Sequence, residues 1–99
     1  MAYQIEFAKL VKAHLEALTA GQRATVLDAI ERQLANEPCK ETRNRKPLRP
    51  NPVAPWELRV GELRVFYEVS QGPPALVRIL AVGVKMRQTL RIGGEEIKL

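Results

Sequence analysis

One cysteine, one histidine and five aromatic residues in a chain of 99 leave little material for several kinds of chemistry. Cys39 has no partner for an internal disulfide. With His14 as the lone imidazole there is no zinc-ligand spacing and no Ser/His/Asp or Cys/His constellation. Carboxylates are present but scattered, as Glu57, Glu62, Glu68 and Glu95-Glu96, so the clustered ligands of a metal-dependent hydrolase are missing. Phosphate-binding loops of the GxxxxGK[ST] and GxGxxG kinds are absent. No apolar run is long enough to span a bilayer, and Glu6 interrupts the segment MAYQIEFAKLVK where a signal peptide would carry its apolar core. The expectation is a cytoplasmic chain with no metal, no cofactor and no membrane attachment.

What is present is an ordinary folding composition, 45% hydrophobic and 27% charged, in a length suited to one domain over residues 1–99. The formal net charge of +5 is unevenly spread. Residues 1–39 carry four Lys and Arg against five Asp and Glu, whereas residues 40–99 carry twelve against six. A cationic second part favours a polyanionic partner, nucleic acid or an acidic protein, over a small neutral substrate.

Periodicity orders the elements. Tyr3 to Phe7 alternates as a first strand, with Tyr3, Ile5 and Phe7 on one face. Phe7, Leu10, Val11, His14, Leu15 and Leu18 then recur at helical spacing, and His14 within that stripe reads as a packing residue. Thr19 and Gln22 have the spacing of a capping box opening a second helix, whose apolar stripe is Val26, Leu27, Ile30 and Leu34 and which stops at Asn36-Glu37-Pro38. So short a connection predicts an antiparallel helical hairpin. Residues 38–55, PCKETRNRKPLRPNPVAP, hold five of the seven prolines and read as one irregular, fairly rigid loop carrying Lys40, Arg43, Arg45, Lys46 and Arg49. WELRVGELRVFY, residues 56–67, reads as a hairpin turning at Gly61-Glu62, and ALVRILAVGV, residues 75–84, as a central strand covered on both faces. Residues 85–99 read as a short strand or a frayed end. The predicted fold class is α+β: a small, mainly antiparallel sheet in the order β-α-α-β-β-β, covered on one face by the N-terminal helical hairpin and open on the other.

The hairpin sets a physical problem. A two-residue turn at Gly61-Glu62 places Val60 opposite Leu63, Leu58 opposite Val65 and Trp56 opposite Tyr67, all facing the helices, and it places Arg59 directly opposite Arg64 on the other face with Glu57 and Phe66. Like charges so opposed destabilise a sheet unless an anion lies between them. A phosphate, or a carboxylate from a protein partner, is the expected anion. RNA cleavage is one reaction that cations alone can support, because the 2′-hydroxyl attacks the neighbouring phosphorus while guanidinium groups hold and neutralise the phosphoryl oxygens. The residues by themselves leave two readings standing: phosphate contact, and a solvated or acidic-partner surface.

WELRVGELRVFYEV followed by VRILAVGVK resembles the RelE/ParE superfamily of toxins from bacterial type II toxin–antitoxin systems, through the pattern W-x-L-R-V-G-x-x-R-V-x-Y and the later V-G-x-K. The resemblance implies either a ribosome-dependent endoribonuclease that cuts messenger RNA without a metal, or an inhibitor of DNA gyrase, in each case neutralised by a cognate antitoxin. By resemblance, Arg64 matches the arginine at the scissile phosphate, Arg59 a basic position on the preceding strand, and Lys85 a second phosphate-stabilising cation, which makes these three the candidate catalytic residues. Arg45, Lys46 and Arg49 of the loop, with Arg87 and Arg91 of the tail, are the candidate RNA contacts. Glu57 and Arg91 stand where the RNase group can carry a lysine and a tyrosine. A non-catalytic relative that binds antitoxin or RNA through its basic face is the remaining alternative.

Overall fold

The computed structural model describes residues 3–98. Its centre is the hairpin, and Gly61, at φ +60°, supplies the left-handed backbone that the turn needs. β3 (Trp56–Val60) and β4 (Leu63–Ser70) pair in the predicted register, with Trp56 against Tyr67, Leu58 against Val65, Arg59 against Arg64 and Val60 against Leu63. Ser70 and the turn after it lead into β5 (Leu76–Met86), which is flanked by β4 along most of its length.

The second helix forms as its cap dictates. Thr19 accepts a hydrogen bond from the Gln22 backbone N–H while the Gln22 side chain accepts from the Thr19 N–H, and this capping box opens α2 (Ala20–Leu34). The first helix is shorter than the stripe from Phe7 to Leu18 predicts. β1 (Gln4–Phe7) runs parallel to β5 from Gln4↔Leu76 to Phe7↔Ile79, and the Ala8 N–H continues to the Ile79 carbonyl, so Phe7 is held extended. Only Val11–Glu16 remains for α1, and Phe7 and Leu10 are exposed. The sheet is therefore mainly antiparallel with one parallel pairing.

The proline-rich segment is not wholly irregular. Arg45–Pro47 forms β2, an edge strand antiparallel to β3, where a proline at the outer end costs no ladder bond. Arg45 points to the helix side and donates to the carbonyls of Gln33 and Lys40, tying the end of α2 to the segment that follows. Asn51 organises the bend beyond β2, accepting from the Val53 and Ala54 N–H groups and donating to the Arg49 and Ala54 carbonyls. The tail also pairs: β6 (Thr89–Ile92) lies against β5, and β7 (Glu95–Ile97) against β6.

These additions overturn the expectation of one open sheet face. The helix side buries Val11, Val26, Ile30, Leu34, Leu58, Val65, Tyr67, Val77, Ile79 and Val82. The second face has its own cluster of Phe66, Ala54, Ala81, Leu90 and Ile92, with Leu48, Val53, Leu80 and Ile97 packed on it, so the proline-rich segment and the β6–β7 tail cover much of it. A register shift between Phe66 and Tyr67 lets Leu80 and Ala81 of β5 both join this cluster, after which alternation resumes at Val82. Among the described residues no helix is long and apolar enough to cross a membrane.

Candidate functional site

The anion between the opposed arginines belongs to the chain itself. Alternation along β3 puts Glu57 on the same face as Arg59, two residues away. Its Oε2 lies 2.9 Å from Arg59 Nε and its Oε1 3.8 Å from Arg64 Nε. Glu57 is only 5% exposed, deep for a carboxylate, and the flanking guanidiniums make that burial tolerable. Arg64 is not the solvent-facing side chain its position suggests. It is 15% exposed, and its Nη1 donates to the carbonyls of Gly61 at 2.7 Å and Leu63 at 2.9 Å, so the turn holds it.

A groove lined by cations opens beside Glu57 and Arg64. Arg49 from the proline-rich segment, Arg59 from β3 and Lys85 from β5 line one open groove of ≈ 640 Å³, completed by Pro47, Leu48, Pro50 and Asn51. The Asn51 bend holds the strap that carries Arg49, and the Lys85 N–H donates to the Glu62 carbonyl, fixing β5 against the hairpin turn. Lys85 also lines a second recess of ≈ 350 Å³ with Glu57, Gln88, Leu90, Ile97 and Lys98. Forked guanidiniums and an ammonium around a groove of this size suit phosphate oxygens.

The remaining predicted contacts are dispersed. Arg45 is committed to the carbonyls of Gln33 near the end of α2 and of Lys40 in the segment after it. Lys46 sits opposite Glu57 on β2, with its Nζ 3.9 Å from Glu41. Arg87 is exposed in the turn between β5 and β6, at φ +58°. Arg91 pairs with Val84 and lies with Met86 and Thr89 on the other side of the sheet, away from the groove. Tyr67 and His14 also face away: the Tyr67 hydroxyl donates to the Pro38 carbonyl at 2.7 Å, and His14 Nδ1 accepts from the Val82 N–H at 3.4 Å. Burial pushes the Tyr67 phenol well above its ordinary range and lowers His14. Sequence reasoning placed Glu57 on the arginine face without giving it a role, although a carboxylate two residues from Arg59 on one strand was the available signal.

Two N-terminal helices on one face of a mainly antiparallel sheet, with basic residues of the β3–β4 hairpin on the other face, make a RelE-like toxin architecture. A chain of the toxin–antitoxin complex RelBE2 from Mycobacterium tuberculosis has this fold, with a TM-score of 0.72 and 26% sequence identity over 86% of the present chain and 100% of that one. The present chain thus has the RelE-like toxin fold of a toxin–antitoxin system, and the resemblance carried by its hairpin extends to a structural match over 86% of the chain. No family model matches the sequence, and no curated protein matches it.

Proposed function

We propose that this chain is the toxin of a toxin–antitoxin pair and acts on messenger RNA at the ribosome, gripping the RNA backbone in the groove lined by Arg49, Arg59 and Lys85. The observation that carries this reading is the convergence of three cations from three separate elements on one opening. The guanidiniums would hold the phosphate bidentately and stabilise charge on its oxygens as the 2′-hydroxyl attacks. Lys85 is the one groove cation able to give up a proton, since an arginine does not, and its place is at the departing 5′-oxygen. Among the described residues no side chain is placed as a base for the 2′-hydroxyl, both Glu57 oxygens facing arginines and Tyr67 and His14 lying on the other side of the sheet, so its proton passes to solvent water as the new bond to phosphorus forms. Acceleration therefore comes from orientation and charge. The antitoxin partner would cover the basic groove with acidic groups and the exposed Phe7 and Leu27, which line an apolar recess with Ile5 and Ile30, with an amphipathic segment.

DNA gyrase is the second reading, favoured by the lack of a base in the groove. Induced expression in bacteria with primer extension on a reporter mRNA separates the two. The expected result is growth arrest with new mRNA ends, both lost when Arg49 and Lys85 are replaced together by alanine. Arrest with intact mRNA, and supercoiling blocked by the purified protein, would move the assignment to gyrase.

A further inference from the structure

We infer that Glu57 is a built-in counter-ion that sets the affinity of the basic groove, occupying the place of an RNA backbone phosphate and giving up Arg59 when RNA binds. The inference rests on the proposed RNA-binding role of the groove and names the residue that limits it.

The two arginine contacts of Glu57 differ in a way that makes exchange possible. The Arg59 contact is a hydrogen bond at 2.9 Å to a side chain that is 47% exposed, so Arg59 can turn to an anion in the groove without leaving its strand. Arg64 is anchored on the turn carbonyls, and its Nε is buried with no hydrogen-bond partner among the described residues, 3.8 Å from Glu57 Oε1. A buried guanidinium N–H left unpaired next to an anion too distant to accept from it is a position that a better-placed oxygen would satisfy. Lys85 lines both the groove with Arg59 and the recess with Glu57, so it borders both. A phosphate entering the groove competes with one carboxylate for cations already converged, and the separation of Glu57 from Arg59 is subtracted from the binding free energy.

Glu57→Gln removes the competing charge and keeps the shape. A 2′-O-methyl RNA oligonucleotide, which cannot be cleaved through its 2′-oxygen, is titrated with the purified full chain by fluorescence anisotropy over a range of salt. The expected result is binding tighter by on the order of tenfold in Glu57→Gln, with the log–log salt slope steeper by about 0.7, the equivalent of one further phosphate contact on a single strand. In the wild-type protein the Arg59 Nε–H resonance should move on addition of the same oligonucleotide, a measurement that stands even where the variant fails to fold. A folded Glu57→Gln variant with unchanged or weaker affinity, or an unmoved Arg59 resonance at saturating RNA, overturns the inference. Wild-type binding with an unchanged variant removes this inference alone, whereas no RNA binding by either protein removes the RNA-binding reading with it.

Discussion

Replacing Arg64 by alanine separates a structural role from a functional one, and its cost can be worked from the contacts. The side chain is 15% exposed, donates through Nη1 to the carbonyls of Gly61 and Leu63, and lies 3.8 Å from Glu57. Hydrogen bonds from a charged donor contribute roughly 1.5–3 kcal/mol each. The Gly61 carbonyl sits at an exposed turn and regains water in the variant, so the partly buried Leu63 bond and the attraction to Glu57 remain as the loss. Together they come to about 2–3 kcal/mol, because Glu57 is also left buried with a single partner. In a domain of this size that lowers the melting temperature by roughly 10–20 °C. Urea denaturation followed by the fluorescence of Trp56 should show a lower midpoint with an unchanged slope, and Arg64→Lys, which keeps the charge without the fork, should fall between wild type and alanine. An Arg64→Ala variant within about 0.5 kcal/mol of wild type would refute the reasoning, since that is the range of surface substitutions without such contacts. Loss of toxicity in Arg64→Ala therefore assigns a function only once its stability is known.

Tyr67→Phe leaves the Pro38 carbonyl without its donor in a buried place, and should cost about 1–2 kcal/mol by urea denaturation. Because burial raises the Tyr67 phenol, the folded state resists its ionisation; stability is intact below the unfolded value of about 10 and declines as pH rises above it. The urea midpoint of wild type should thus fall more steeply than that of Tyr67→Phe in that alkaline range, and parallel curves would count against it. Gly83→Ala would drive a Cβ into the Arg91 carbonyl oxygen and to 2.9 Å from Ile92 Cγ1, prising β6 from β5. The expected cost is about 1–3 kcal/mol, with amide exchange faster in β6 and β7 and unchanged between β3 and β4.

Local signals carried much of the architecture. Thr19 and Gln22 specified the start of α2, Gly61-Glu62 specified the hairpin register to the residue, and the apolar run of 75–84 marked the central strand, because capping, turn closure and twofold alternation act over a few residues. The candidate site was legible in part. Arg59 and Lys85 do share a groove with Arg49, whereas Arg45 and Arg91 carry the same charge in the same cationic stretch of residues 40–99 and lie elsewhere. Charge counted along a sequence does not say which face of the sheet it reaches.

The sequence by itself determined that two helices follow the first strand, the start of α2, the β3–β4 register and the direct opposition of Arg59 to Arg64, since each follows from spacing within one short segment. Only the tertiary structure decided that Phe7 stays in a strand, that the proline-rich segment and the tail close the second face over Phe66, and that Glu57 is the anion between the arginines. The first two depend on pairings and burial between segments far apart in the chain, where the free energy of covering an apolar surface exceeds any local preference. The third lies within one hairpin, but the burial that commits Glu57 to its arginines comes only with the folded sheet.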